Sequence, residues 1–171
     1  MSVEEHKREA RAYLNCAVIT VSDTRTKETD KSGRVMISYV KEAGHQLLLY
    51  EIIKDEEKAI LATIQRAVEN NKIDAILLNG GTGIATRDIT IETVRSLFEK
   101  EISGFGELFR MISYEEDIGS AAMLSRATAG VYKGKVIFVT PGSTGAVKLA
   151  MEKLIIPELG HIIRELEKDR K

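Results

Sequence analysis

Short apolar runs alternate along this chain with longer stretches in which apolar residues recur every three or four positions. The first rhythm predicts buried strands and the second amphipathic helices. Residues 16–22 read as a first strand, followed at 23–32 by a polar loop long enough to carry a function. Val35, Met36, Tyr39, Val40 and Ala43 then share one helical face, and Gly44 is placed to stop that helix. Residues 47–53 predict a second strand. Ile60, Leu61, Ile64, Ala67 and Val68 mark the buried side of the next helix, which Asp55 can cap and Asn70-Asn71 ends. The run 75–78 is too short for an independent helix and predicts a strand buried on both faces, with a helix after it through Ile91, Val94, Leu97 and Phe98.

The segment 105–124 reads as helical but irregular, because Gly104, Gly106 and Gly119 interrupt it. Runs at 129–131 and 136–139 flank a turn and predict a hairpin. The most regular helix follows through Ala146, Val147, Ala150, Met151, Leu154 and Ile155, and Pro157 starts a last amphipathic segment through Leu159, Ile162, Ile163 and Leu166. This alternation implies an α/β fold, a three-layer sandwich with a mainly parallel central sheet, helices on both faces and a small hairpin. Ligands of such sheets sit beyond the carboxyl ends of the strands, which singles out the loops 21–29, 79–88 and 140–145. The 171 residues carry no internal repeat, linker or low-complexity tract and predict one domain over 1–171, with 1–12 a flexible or loosely helical extension.

The strongest chemical signal is the stretch 74–90, where a short apolar run breaks into Gly80, Gly81 and Gly83 and then into Thr86, Arg87 and Asp88. Glycines remove the side chains that would hold an anion away from backbone N–H groups, and a following helix start favours anions through its free N–H groups. The pattern predicts phosphate binding; without a ligand it would be a glycine-rich strand-to-helix turn. It is neither of two better-known phosphate motifs. A dinucleotide fingerprint needs Gly or Ala three residues after Gly83, where Thr86 stands. The other glycine-lysine run, Gly130 to Val136, has one residue too few between its glycines and no Ser or Thr after Lys135. A second Gly and hydroxyl loop, Thr140-Pro141-Gly142-Ser143-Thr144-Gly145, repeats the strand-loop-helix arrangement.

Composition restricts the partners. A formal net charge of −1, with basic residues interspersed among acids, gives no polyanion-binding stripe, so no nucleic acid is expected and any anion recognised is small. The single cysteine, Cys16, opens an apolar run and reads as a buried, inert thiol. No apolar run approaches a membrane span or a secretion signal, so a cytoplasmic protein without membrane contact is expected. His6, His45 and His161 are far apart without metal-ligand spacing and read as surface or satisfied histidines.

Six ordered motifs resemble one family: Thr20-Val21-Ser22-Asp23-Thr24-Arg25, Gly80-Gly81-Thr82-Gly83, Arg87-Asp88-Ile89-Thr90, Gly104-Phe105-Gly106-Glu107, Ser125-Arg126-Ala127 and Pro141-Gly142-Ser143. Together they look like the molybdenum cofactor biosynthesis family, which includes the MoaB and MogA proteins and the G domain of gephyrin. The resemblance spans nearly the whole chain, and the run GFGELFRMISYEE leans toward the MoaB branch. Ile91 departs from the proline that many members carry after RDxT, a residue that only presets the first helical turn.

The resemblance implies adenylylation of molybdopterin: ATP and the pterin's phosphate give an adenylylated pterin and pyrophosphate, primed for metal insertion. The residues suit that chemistry independently, because an encounter between two anions needs fixed N–H donors, a cation, and carboxylates that hold Mg²⁺ between the phosphates. By similarity Asp55 and Asp88 are the essential acids and the Mg²⁺-positioning residues. For each, a capping role is the competing reading. Gly80, Gly81, Thr82 and Gly83 are expected to line the phosphate or pterin pocket, with Pro141, Gly142 and Ser143 as a second N–H and hydroxyl cluster. Ser22 and Asp23 are candidates for pterin or base edges. Ser125 and Arg126 are weaker candidates, Arg126 being equally open to a salt bridge. Arg87 fits a phosphate through its planar fork or a solvated position beside the helix start.

Two rival functions stand beside this one. A non-catalytic pterin carrier or assembly module would keep the pocket without turnover, and intact Asp55 and Asp88 argue against it. A dehydrogenase using the glycine loop for a nicotinamide cofactor conflicts with the missing third glycine. The resemblance also implies a homo-oligomer, trimer or hexamer, and a metal-insertion enzyme that receives the product. The apolar-rich 105–124 segment is a candidate contact surface, although the same residues would also serve to cover the sheet.

Overall fold

The computed structural model describes residues 2–8 and 11–170. After helix α1 (Val3–Arg8), the chain alternates β1 (Asn15–Val21), α2 (Lys31–Glu42), β2 (Gln46–Ile53), α3 (Glu57–Glu69), β3 (Ala75–Asn79) and α4 (Thr90–Arg95). A short β4 (Lys100–Glu101) leads into α5 (Ser103–Ser113), a π-helical turn (Tyr114–Ile118) and a 3-10 helix (Gly119–Leu124). Strands β5 (Thr128–Tyr132) and β6 (Lys135–Thr140) precede α6 (Thr144–Ala150), a second π-helical turn (Met151–Ile155) and α7 (Ile156–Glu167). Residues 1, 9 and 10 of the expected N-terminal extension lie outside the described residues, as does the side chain of His6.

The strands form one sheet in the order β2-β1-β3-β6-β5-β4. Four neighbours run parallel, while β5 is antiparallel to β6 and β4 to β5. The fold is therefore the mostly parallel α/β sandwich that the alternation predicts. All five residues of β3 are buried, and successive side chains serve opposite faces. Cys16, Val18, Ala75 and Leu77 join Met36, Val40, Val147 and Met151 on one side, under α2 and α6. Ala17, Ile19, Ile76 and Leu78 join Ile60, Ile64, Ile91 and Val94 on the other, under α3 and α4. Sheets covered on both faces read as continuous apolar runs, which is why β1 and β3 stand out in the sequence.

Chain order reverses beside β1. The first crossover places β2 on one side of it and the next places β3 on the other. Crevices beyond the carboxyl ends of strands at such a switch point are where open α/β sheets bind ligands. Thr20, Asn79 and Thr140 pair across β1, β3 and β6, so three loops leave the sheet side by side.

Four local expectations change. The helix through Ile91 and Val94 is shorter than its periodicity suggests: α4 ends at Arg95, and Phe98 instead lies over Gly130 of β5, filling the space a side chain there would need. That arrangement brings Lys100 and Glu101 into register with Val131 and Gly130, adding an edge strand absent from the sequence reading. Asp55 does not cap α3; Glu56 occupies the N-cap position, without a side-chain cap bond. The last two helices are continuous. Pro157 lacks the N–H that would bond in an interior turn, and the widened turn before it lets the Ile156 N–H donate to Met151 O, five residues back.

The 105–124 segment covers the sheet with one face and leaves apolar side chains exposed on another. Phe105 meets the Phe138 ring edge-on at a 5.1 Å centroid separation and, with Phe109 and Ala122, is buried against the sheet. Leu108, Met111, Tyr114, Ile118 and Met123 are exposed. Cys16 is fully buried, and burial, with Asp74 adding to it, pushes its thiol up to about 12. His45 Nδ1 accepts the Leu14 N–H at 3.1 Å, and His161 lies 3.0 Å from Glu158, so both have partners inside the fold. No helix among the described residues is long and apolar enough to cross a membrane.

Candidate functional site

The three loops beyond β1, β3 and β6 enclose a cleft of about 350 Å³ lined by Val21, Ser22, Arg25, Asp55, Gly80, Gly81, Thr82, Gly83, Asp88, Leu124, Ser125, Pro141 and Gly142. Of the fourteen residues the sequence nominates, the fold brings ten together here: Ser22, Asp55, Gly80, Gly81, Thr82, Gly83, Asp88, Ser125, Pro141 and Gly142. Asp23, Arg87, Arg126 and Ser143 lie outside the lining. Arg87 does not face the cleft as a free fork; it donates from Nε and Nη2 to Asp23 Oδ2 at 2.9 and 2.6 Å. Asp23 Oδ1 in turn accepts the Asp55 N–H at 3.1 Å. The Arg87 hydrogen bonds, with that of the Asp55 N–H, hold the Asp23 carboxyl below its usual range. This pair ties the loop after β3 to the loop after β1 and fixes the backbone of Asp55. Ser143 is the N-cap of α6, its Oγ accepting the Ala146 N–H at 3.2 Å.

The glycine-rich loop packs around the two acids. A Cβ on Gly81 would collide with Asp55 Oδ1 and Thr90 Oγ1, and Gly81 also holds a φ of +67°. A Cβ on Gly83 would fall 2.6 Å from Asp88 Oδ2. Asp88 does not cap α4, whose N-cap position is Ile89; its Oδ2 instead accepts the Ala85 N–H at 3.0 Å and closes its own loop. Arg126 stands behind this loop, donating to Thr82 O at 2.9 Å and to Gly83 O at 2.7 Å while pairing with Glu92. It is a salt-bridge partner that gathers the loop's carbonyls.

Asp55 is half-buried, yet its Oδ1 is sealed from solvent and has no hydrogen-bond partner. Burial and the negative charges of Asp23 and Asp88 push its carboxyl above the usual range, with Arg87 a smaller opposing influence. A carboxylate surrounded in this way by negative charge calls for a positive counterpart. No cluster of three or more His, Cys, Asp or Glu side chains occurs among the described residues, so protein donors alone complete no metal cage. A pair of carboxylates beside an anion cradle matches Mg²⁺, which keeps waters and takes phosphate oxygens as its other ligands.

Three lining residues are not nominated by the sequence reading, the apolar Val21 and Leu124 and the charged Arg25. Arg25 Nη2 donates to Gly142 O at 2.8 Å and its Nη1 to Ser32 Oγ, with Asp30 Oδ1 at 3.5 Å. Asp30 is fully buried; burial pushes its carboxyl up, but hydrogen bonds led by those of Tyr50 and Thr20 outweigh this and hold it below the usual range. Ser32 Oγ donates to Asn79 Oδ1 at 2.8 Å, and Asn79 Nδ2 to Thr20 Oγ1 at 3.0 Å. This buried network joins β1, β3 and the loop after β6, and holds the Arg25 guanidinium in the lining of the cleft. The only sequence signal for it is the arginine closing the Thr20 to Arg25 motif.

Residues 17–161 match the family model described as a probable molybdopterin binding domain. The chain is 62% identical over 170 residues to molybdenum cofactor biosynthesis protein B of Bacillus subtilis, covering 99% of this chain and 100% of that protein. The corresponding protein of Halalkalibacterium halodurans is 57% identical over 170 residues, with 99% and 100% covered. Among solved structures, a molybdenum cofactor biosynthesis protein B superposes with a TM-score of 0.91 at 55% identity, over 94% of this chain and 100% of that one. The tungsten cofactor synthesizing protein MoaB from Pyrococcus furiosus gives 0.84 at 39% identity, over 93% and 100%. With its fold, its glycine loop and these relatives in agreement, the chain belongs to the molybdenum cofactor biosynthesis family, on the MoaB side of it.

Proposed function

We propose that this protein acts in molybdenum cofactor biosynthesis by binding molybdopterin in the cleft and adenylylating it with Mg-ATP, releasing pyrophosphate. The observation that carries the reading is that Asp55 and Asp88 line one cleft together with the glycine loop, the hydroxyls of Ser22, Thr82 and Ser125, and Arg25. In the reaction an oxygen of the pterin phosphate bonds to the α-phosphorus of ATP, and the bond from that phosphorus to the β-phosphate bridge breaks. A phosphate monoester is largely dianionic near neutral pH and needs no general base. The acids are therefore placed to organise charge rather than to take a proton.

Asp55 and Asp88 would hold Mg²⁺, which when bound neutralises the meeting of two anions. The Gly80 N–H is taken by Thr140 O, and the backbone N–H groups of Gly81, Thr82 and Gly83 would supply fixed donors that need no reorganisation. Thr82, Ser22 and Ser125 bring hydroxyls to the same space, and Arg25 adds a guanidinium to the same lining. Asp23 and Arg87 act from outside the cleft by fixing Asp55 and the loop above it. The exposed apolar face of α5 and the turn after it supports a homo-oligomer, and an activated pterin product implies a metal-insertion enzyme as its recipient.

The test is pyrophosphate release from ATP in the presence of molybdopterin, with Mg²⁺ varied. Wild type should turn over in proportion to bound Mg²⁺. Asp88→Asn, which keeps size but removes charge, should lose activity by at least about a hundredfold while still binding molybdopterin. Turnover by the variant at the wild-type rate would remove Asp88 from the mechanism. Binding without any turnover by wild type would establish the carrier reading instead.

A further inference from the structure

Arg126 stands outside the cleft lining, yet its guanidinium reaches the backbone of three residues that line it. Nε donates to Thr82 O at 2.9 Å and to Gly83 O at 3.2 Å, and Nη2 to Gly83 O at 2.7 Å and to Asp88 O at 3.2 Å. Nη1 pairs with Glu92 of α4, and the Arg126 hydrogen bond holds the Glu92 carboxyl below its usual range. Carbonyls drawn to one side chain also set the other edges of their peptide units. In a planar trans peptide the C=O and the N–H that follows it point in opposite directions, and no peptide bond among the described residues is cis. With Thr82 O and Gly83 O turned toward Arg126, the N–H groups of Gly83 and Ile84 are turned away from it. Neither has an acceptor among the described residues, whereas the next N–H, that of Ala85, is taken by Asp88 Oδ2 at 3.0 Å. Successive backbone N–H groups left open in a turn bind anions.

We propose that Arg126 is a positioning residue of the phosphate site: by clamping the carbonyls behind the glycine loop it aims the Gly83 and Ile84 N–H groups at a phosphate oxygen of the ligand, and through Asp88 O it keeps the Asp88 carboxylate in register with them. The proposal rests on the reading of the cleft as a site for phosphorylated ligands. It accounts for the choice of arginine. A lysine would also pair with Glu92, but only a planar fork serves three carbonyls and a carboxylate at once.

The experiment follows the Gly83 and Ile84 amide protons by nuclear magnetic resonance while isotope-labelled protein is titrated separately with Mg-ATP and with molybdopterin. Calorimetric affinities and thermal melts accompany it for wild type, Arg126→Ala, Arg126→Lys and Glu92→Gln. In wild type both amide protons should move downfield with at least one ligand, and which ligand moves them names the phosphate that sits there. Arg126→Ala should lose that shift and bind the same ligand at least about tenfold more weakly, the effect of losing one hydrogen bond. Arg126→Lys should recover little of the loss, and guanidinium added below denaturing concentration should restore part of it to the alanine variant. Glu92→Gln cuts the ion pair but spares the carbonyl clamp, so its affinity should stay within about twofold of wild type. Amide protons that move with neither ligand, wild-type affinity in Arg126→Ala, or a Glu92→Gln variant as weak as the alanine one would each overturn the assignment. If the alanine variant fails to fold, Arg126→Lys carries the same comparison. The two proposals fail separately. Amide shifts that depend on Arg126 in a wild type that releases no pyrophosphate end the adenylylation reading alone, and an active wild type whose Gly83 and Ile84 amides stay in place ends this one alone.

Discussion

Gly81→Ala is the sharpest probe of the site, because a single methyl group tests both the backbone and the acid beneath it. At φ +67° an alanine pays left-handed strain of about 1–2 kcal/mol. The methyl also strikes Asp55 Oδ1 and Thr90 Oγ1, and forcing two side chains off their rotamers adds about 0.5–1.5 kcal/mol each. Gly44→Ala supplies the control. Gly44 holds a similar φ of +84° with nothing within 4 Å of its would-be Cβ, so it bears the strain without the collision. For a chain of this length about 1 kcal/mol corresponds to roughly 2–4 °C in Tm, so Gly44→Ala should melt about 2–8 °C low and keep full activity. Gly81→Ala should melt lower still, and a shift of Asp55 near 1 Å should cost about a hundredfold in pyrophosphate release. Melting curves and the release assay, run on both variants beside wild type, decide the matter. Should Gly81→Ala prove no worse than Gly44→Ala in either measurement, the close approach of this loop to Asp55 has no consequence and the site geometry is misjudged.

Asp55→Asn should raise Tm at pH 7 while abolishing Mg²⁺-dependent turnover. Because the Asp55 carboxyl is raised above its unfolded value by burial and by Asp23 and Asp88, its protonated form favours folding; that contribution is complete at acid pH and is lost as pH rises through the folded value. The stability gap between variant and wild type should therefore close on acidification toward pH 4, and a gap independent of pH would refute the linkage. Ser143→Ala should lower stability by about 1 kcal/mol through loss of the α6 cap, measurable by urea denaturation, and leave molybdopterin affinity within twofold. A tenfold loss of affinity at unchanged stability would place Ser143 in the ligand's shell after all.

What was legible in the sequence follows from how each element is specified. Strands β1 and β3 and the glycine loop between β3 and α4 are local features: a doubly covered strand must be apolar throughout, and a turn that hugs a carboxylate must be glycine. Their positions therefore read directly, and so do ten of the cleft's residues. Arg25 does not read, because its place depends on folding back to Gly142, 117 residues away. Arg87 misleads for the same reason. Its fork is of the kind that binds phosphate, and only the fold shows that Asp23 already fills it. At Asp55 and Glu56 the capping pattern is degenerate, with two acids in consecutive positions, and the hydrogen bond from the Asp55 N–H to Asp23 belongs to the tertiary structure. Phe98 kept a helical spacing in the sequence but left the helix to cover Gly130, a choice that periodicity cannot encode.

The widened turn at Met151–Ile155 sets the phase of everything after it. One residue of an α-helix advances the side chain by about 100°, so an uninterrupted α-helix from Thr144 to Glu167 would rotate Leu159 and Ile163 away from the stripe begun by Val147 and Met151. The extra residue absorbed in the π turn brings the two halves back onto one line, and Pro157 holds the change where it is needed. A deletion test follows: shortening the helix there by a single position should restore ideal backbone geometry and, by the same act, turn the C-terminal apolar face out of the core.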